Sequence, residues 1–335
     1  MPRLNAGFIV AAMALTACGG GGSGSGSEPA GPRSYSMPAP SQYDFATYAV
    51  EQKSSISGSS TYLKSRVMQS GSNPSDGVYI ETVTYREYEG RLDYHLTSDR
   101  GMSGSAAYCS YTYQPVMYEI PATLTLGQTW DNSSVMSKEC RGTKAPVYTY
   151  RSKGTVLGLE TITVKAGTFE TVKLTYTISW ELSPEKAVTE GTAWRDVRSG
   201  RIVKDDRVTT RSSLADGKVS NVLNSTEELT AFSIAATGQR KMTVEQYAGS
   251  YSLVIAGNFL NCPTTVDNAG TVSVKCTDAY GSTQFSASGT VDADGEIRFA
   301  PNPYASFTGK FISPQNARGT WTSGTTNGTW AFSHL

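Results

Sequence analysis

Histidine is nearly missing from this chain, with two in 335 residues, His95 and His334. A histidine-rich metal site is therefore nearly excluded. No two cysteines stand in a C-x-x-C spacing, so zinc-ribbon and thioredoxin-like redox chemistry have no foothold. Neither sign of charge dominates: 29 Lys and Arg face 29 Asp and Glu. That balance gives no basic field for nucleic acid and no block for a polyelectrolyte partner. Beyond the first 17 residues, no apolar run approaches the roughly 20 that a spanning helix needs. Helical periodicity is scarce, G-x-S-x-G is absent, and the Gly/Ser tract at 19–27 precedes no helix that would make it a phosphate loop. No cofactor is expected.

The chain opens instead with Arg3 and an apolar stretch from Ala6 to Leu15, the charge and length of a secretory leader. It ends in Leu15-Thr16-Ala17-Cys18, which resembles the lipobox of bacterial lipoproteins. That resemblance implies cleavage before Cys18 and acylation of Cys18 as the new N-terminus. It also implies, with Gly19 following, sorting to the outer membrane of a Gram-negative cell, facing the periplasm or the surface. The membrane is then the first expected partner. Residues 18–42 are rich in Gly, Ser and Pro and read as a tether without a core of its own.

From 43 to 236 the pattern has period two, broken at short intervals by turn residues. The clearest strand is Glu170 to Glu181, which puts Val172, Leu174, Tyr176, Ile178 and Trp180 on one face. A tight turn at Lys165-Ala166-Gly167-Thr168 joins it to a strand at Glu160–Val164. A second hairpin is expected at Glu89-Gly90, with Arg86 opposite Asp93 and Tyr85 opposite Tyr94. Around Ser233–Lys241 a linker is expected. The unit at 243–335 then opens with a helical turn at Thr243–Ala248 and continues as strands. Gly319-Thr320-Trp321 and Gly328-Thr329-Trp330 suit the two arms of one closing hairpin. The fold class is all-β, with two antiparallel domains: a curved sheet or half-barrel, then a small up-and-down barrel.

Three phrases carry a further resemblance: Leu124 to Trp130, Val164 to Thr171, and Trp194 to Lys204 with Gly200 at its turn. In this order they resemble bacterial envelope proteins of unassigned function built on a half-open antiparallel barrel. Some relatives of that architecture carry lipids or lipoproteins in the concave face. The resemblance thus implies a hydrophobic ligand or an envelope protein as partner, although no amphipathic helix is there to lid a cavity. The last unit resembles the small β-barrels that end some bacterial surface lipoproteins.

With Cys18 set aside for lipid, Cys109, Cys140, Cys262 and Cys276 remain, an even number in an exported chain. Four cysteines allow three connectivities. A turn at Asp267-Asn268-Ala269-Gly270 sets Cys262 nearly opposite Cys276, which leaves Cys109 for Cys140. Ser183-Pro184-Glu185-Lys186 matches the bare S-x-x-K of serine acylases without its companion motifs, and Pro184 marks a turn. Asp292-Ala293-Asp294-Gly295-Glu296 reads as a hairpin turn rather than a calcium loop. Asp205-Asp206 reads as a solvated pair. Tyr111, Tyr113 and Tyr118 form the one aromatic group with a ligand-binding composition. No catalytic set is expected. The leading expectation is a non-catalytic binding or scaffolding module, with a hydrophobic-ligand carrier and an envelope hydrolase as rivals.

Overall fold

The structure is a computed structural model. It describes residues 33–38, 41–70, 79–85, 90–96, 102–106, 109–144, 148–256, 262–278, 280–301 and 305–334. The first half of the chain supplies β1 (Ser34–Ser36), β2 (Phe45–Ser54), β3 (Gly58–Ser70), β4 (Tyr79–Tyr85) and β5 (Gly90–Leu96). Then come β6 (Met102–Ala106), β7 (Cys109–Gln114), β8 (Thr123–Thr125), β9 (Thr129–Cys140) and β10 (Thr143–Lys144). Long strands follow: β11 (Tyr148–Val164), β12 (Gly167–Leu182), β13 (Glu185–Asp196), β14 (Ile202–Ser213) and β15 (Val219–Ile234), with β16 (Gln239–Lys241) behind them.

Twelve of these strands form one continuous antiparallel sheet in the order β9-β11-β12-β13-β14-β15-β2-β3-β4-β5-β6-β7. β7 then pairs back onto β9, from Cys109 opposite Cys140 to Gln114 opposite Val135. The curved sheet therefore goes further than the half-barrel that the sequence suggests, and its path closes into a ring. Closure removes the two free edges that an open sheet of this length would leave to aggregate.

Alternation along β12 sets the inner face. Val172 and Leu174 are buried, as is Tyr176, while Lys173 and Thr175 between them are not. Register carries that face around the ring. Leu174 lies opposite Ala193, which lies opposite Asp205, then Glu227, then Val50. We call the upper end of the barrel the one that bears the turns Ser55–Ser57, Ser183–Pro184 and Leu214–Lys218.

The chain itself fills the interior. After β7 it leaves the wall, and residues 115–122 run down along the inner faces of β9 and β11. The Pro115 carbonyl accepts the Ser134 hydroxyl at 2.5 Å. The Glu119 carbonyl accepts both the Trp130 indole N–H at 3.2 Å and the Ser152 hydroxyl at 2.5 Å. Met117 is fully buried. β8 then pairs with β1, and Leu124 of β8 packs on Val156, Val172, Leu174, Tyr176 and Ala193. Two short strands thus do from inside what the absent lid helices do not.

The second barrel comprises β17 (Gly249–Ile255), β18 (Cys262–Val266), β19 (Thr271–Thr277) and β20 (Thr283–Val291). It continues through β21 (Glu296–Phe299), β22 (Ser306–Ser313), β23 (Asn316–Ser323) and β24 (Thr326–His334). It closes in chain order, with β17 against β24. The two Gly-Thr-Trp phrases are the arms of the β23–β24 hairpin, as expected: Gly319 faces Trp330 and Trp321 faces Gly328. Each glycine makes room for a ring, since a Cβ on Gly319 would lie 2.4 Å from the Trp330 indole. The first barrel repeats the device, where Trp130 covers Gly154.

Two expectations need correction. The β4–β5 hairpin pairs Tyr85 with Gly90, Thr82 with Asp93 and Glu81 with Tyr94. The connection is therefore four residues, 86–89, rather than a tight turn at Glu89-Gly90, and the register moves accordingly. Arg86 and Glu89 themselves lie outside the described residues. The linker expected at Ser233–Lys241 is tied down: β15 runs to Ile234 and β16 folds back onto it. From there Met242 packs against both barrel cores. The turn readings stand. Gly295 takes φ +83 and its N–H bonds the Asp292 carbonyl at 2.9 Å. A helical turn of 3-10 type occupies Val244–Tyr247.

Candidate functional site

The strongest concentration of ionisable groups sits inside the first barrel, on the inner faces of β3, β14, β15 and β12. Lys64 and Glu227 form an ion pair with both side chains 2% exposed or less. Arg207 reaches the same carboxylate and also bonds Asp205 at 2.7 Å. The Tyr176 hydroxyl donates to both Asp205 oxygens, at 2.8 and 3.0 Å. Burial of unpaired charge is costly, and here each charge meets a counter-charge.

The pairing sets the protonation states. Burial alone would push the Glu227 carboxyl up, but Lys64, Arg207 and Arg66 outweigh it and hold it at about 2. Burial drives Lys64 down to about 8, against the pull of Glu227. Asp205 is raised by burial, with Arg207 opposing. Tyr176 is raised too, by burial first and then by the Asp205 charge. Arg195, half-buried between the Met37 sulfur and the Gly200 carbonyl, is pulled down to about 10 by desolvation.

This cluster contradicts the reading of Asp205-Asp206 as a solvated pair. The two residues point to opposite faces. Asp206 bonds Thr226 at 2.9 Å on the outer surface, whereas Asp205 is 2% exposed within the core. A strand period applied to residues 203–207 would have placed Val203, Asp205 and Arg207 on one face. That signal was available.

Tyr176 depends on a missing side chain. Its ring crosses Gly191 on the neighbouring strand, where a Cβ would lie 2.5 Å from the ring. Gly191→Ala is expected to push Tyr176 off Asp205 and cost about 1–3 kcal/mol. Thermal unfolding reads it, and an unchanged midpoint would show that the ring is free to move.

Above the cluster the inner face turns aromatic. Tyr113 meets Tyr150 edge-on at 5.7 Å, Tyr148 meets Trp180 at 6.4 Å, and Arg211 lies over Trp180 at 5.8 Å. The Tyr150 hydroxyl donates to the Glu119 carboxylate at 2.8 Å. Of the three tyrosines singled out in the sequence, Tyr113 is therefore in this wall. Tyr118 lines a separate slot of about 350 Å³ with Pro121, Ala122, Trp130, Asp131 and Asn132. Tyr111 is opposite Lys138 in register, and its side chain lies outside the described residues.

The S-x-x-K reading fails on geometry. Ser183 and Pro184 are the turn between β12 and β13, and Lys186 pairs with Glu181 at 3.0 Å. Cys262 and Cys276 are disulfide-bonded with Cα atoms 4.0 Å apart. Cys140 is also disulfide-bonded, and Cys109 is its register partner. Cys18 lies outside the described residues. Among the described residues, no group of three or more His, Cys, Asp or Glu side chains is arranged to hold a metal.

The geometry defines a class, an all-β chain of two closed barrels with a self-filled first interior. No family model matches the chain, and no curated protein does. Two solved structures resemble it weakly. One is a protein named as exported, with a YmcC-like fold, from Bacteroides fragilis. It has 13% identity and a TM-score of 0.33, covering 59% of this chain and 98% of its own. The other is the hypothetical lipoprotein YmcC of Escherichia coli, at 12% identity and a TM-score of 0.30, covering 54% of this chain and 83% of its own. At these TM-scores the backbones differ too far to lend either protein's properties to this chain.

Proposed function

We propose that this chain is a lipid-anchored, non-catalytic binding module of the bacterial envelope, held at the outer membrane through Cys18. The observation that supports the non-catalytic part is the filled interior. Inside the first barrel the strongly shifted Lys64, Tyr176, Arg207 and Glu227 are each engaged with another of these groups or with Asp205. A general acid or base must reach a substrate, and Glu227 and Lys64, at 2% exposure or less, do not. The same filling weighs against a carrier, since the volume that a lipid tail would take holds Met117, Leu124 and Leu174.

The anchor rests on the leader and on Cys18. Two or more acyl chains hold a protein stably at a bilayer, at about 0.8 kcal/mol per buried CH₂. Cys18→Ser is expected to leave the leader uncut and to abolish labelling by radioactive palmitate. A Cys18→Ser protein that is still cleaved and still sediments with membranes removes the anchor. The binding-module reading has its own test, mass spectrometry of solvent extracts from the purified protein. Only the covalent lipid is expected; a stoichiometric free lipid would put the carrier reading first.

A further inference from the structure

The upper rim of the first barrel carries three exposed apolar side chains on neighbouring turns. Ile56 is 74% exposed at the β2–β3 turn, Leu214 is 44% exposed at the β14–β15 turn, and Val219 is 53% exposed at the start of β15. A single exposed aliphatic needs no explanation, but three on one rim invite one. These turns are laced together. The Leu214 N–H bonds the Pro184 carbonyl at 2.8 Å, and the Ser55 N–H bonds the Val222 carbonyl at 2.9 Å. The Ser54 and Ser55 hydroxyls both reach the Asn221 amide oxygen, at 3.2 and 3.0 Å. Polar and charged side chains share these turns, Ser57, Asp216, Lys218 and Ser220 among them. The crest is thus held in place rather than left to fold inward.

The charge beneath it has a sign. Within two residues of the upper strand ends, from β9 through β15 to β3, stand Lys53, Lys138, Arg141, Lys144, Lys186, Arg211 and Lys218. Against these seven stand Glu139, Glu181 and Glu185, with Glu51 and Asp216 one residue further out. Glu181 and Lys186 engage each other, so both drop from the tally, and Asp216 accepts the backbone N–H of Lys218 at 3.1 Å. Just inside the rim lie Trp180 and Tyr148, the ring types that favour a boundary between apolar and wet surroundings.

We propose that this rim is a lipid-contacting surface: Ile56, Leu214 and Val219 enter an anionic bilayer interface while the basic side chains meet its headgroups. Apolar tips on a rigid turn gain by burial, and each basic residue near an anionic surface adds about fivefold in partitioning. The contact does not depend on the anchor at Cys18. Together the two would hold the barrel with its upper end against a membrane.

An environment-sensitive fluorophore on Ile56→Cys, in the otherwise full-length chain, tests it. Vesicles of phosphatidylcholine mixed with phosphatidylglycerol are expected to shift its emission to the blue and to let brominated lipid tails quench it. Pure phosphatidylcholine should weaken the shift, as should molar salt, where the screening length is about 3 Å. The same dye on Tyr280→Cys, at a fully exposed turn of the second barrel, is expected to stay water-like. Replacing Leu214 and Val219 by Ser in the labelled chain should lower rim partitioning by about tenfold or more. Flotation of the chain with vesicles reads the anchor separately. A dye at position 56 that stays water-like on floated vesicles overturns the proposal. So does a shift that needs added envelope proteins and is absent with bare lipid, which would assign the rim to a protein partner.

Discussion

Replacing Glu227 by Ala is expected to destabilise the first barrel by about 3–5 kcal/mol. The size comes from what remains rather than from what is removed. Lys64, 2% exposed, would keep a charge with no carboxylate beside it, and Arg207 would retain only Asp205. Glu227→Gln keeps the shape and tests the charge alone. Here pH supplies a second reading. Because the folded Glu227 is held at about 2, below its ordinary 4.5, its contribution is fully present above about pH 4.5. It is lost as the pH falls through about 2. Asp205, raised by burial, works in the opposite direction and favours the folded state as acid is added. Denaturant titrations across that window are expected to show an acid-side loss in the parent protein that is smaller in Glu227→Gln. Equal pH profiles in the two proteins would mean that the ion pair contributes nothing net.

The second large effect is expected in the small barrel. Trp330 is 3% exposed. Its indole spreads over Gly309 and Gly319, and packs on Phe299 at 5.9 Å and Phe332 at 4.7 Å. The two glycines offer no side chain to collapse into the space. Trp330→Ala should therefore leave a real void and cost about 3–5 kcal/mol. A unit of fewer than 100 residues has little to spare, so the transition of the second barrel is expected to drop and broaden. The Cys262–Cys276 bridge limits the unfolded chain, closing a loop worth about 3 kcal/mol in the entropic account. Reduction of that bridge in Trp330→Ala is expected to leave the unit unfolded at ordinary temperature. Calorimetry of the oxidised and reduced protein checks both steps, and an unshifted transition in oxidised Trp330→Ala would show that neighbouring rings close the gap.

What could be read from the sequence was what repeats locally. Glu170 to Glu181 alternates cleanly, and the inner face of β12 emerged from that alternation alone. Turn chemistry at Asp292–Glu296 and the paired Gly-Thr-Trp phrases also need only near neighbours. Trp180 shares the face of Leu174 but lies near the mouth, half-buried beneath Arg211, so its loss should cost less than that of a core tryptophan. The pairing of Lys64 with Glu227 was out of reach for a different reason. Lys64 and Glu227 are 163 residues apart, and polar residues on an inner face look like surface in a pattern of period two. Residues 115–122 were equally opaque. Nothing in their composition says that the segment leaves the wall and turns inward.

The ring's order in space also has a consequence in time. β2 lies between β3, its neighbour in the chain, and β15, whose residues follow it by some 170 to 190 positions. A chain crossing a membrane from its N-terminus presents β2 and β3 long before β15 exists. Until then β2 shows a full row of unpaired N–H and carbonyl groups, and the apolar face of Tyr48 and Val50 has no partner. Such non-local pairings fold slowly because the loop between them must close first. If the chain is exported N-terminus first, as proposed above, it is expected to be most exposed to aggregation and proteolysis before its fifteenth strand arrives.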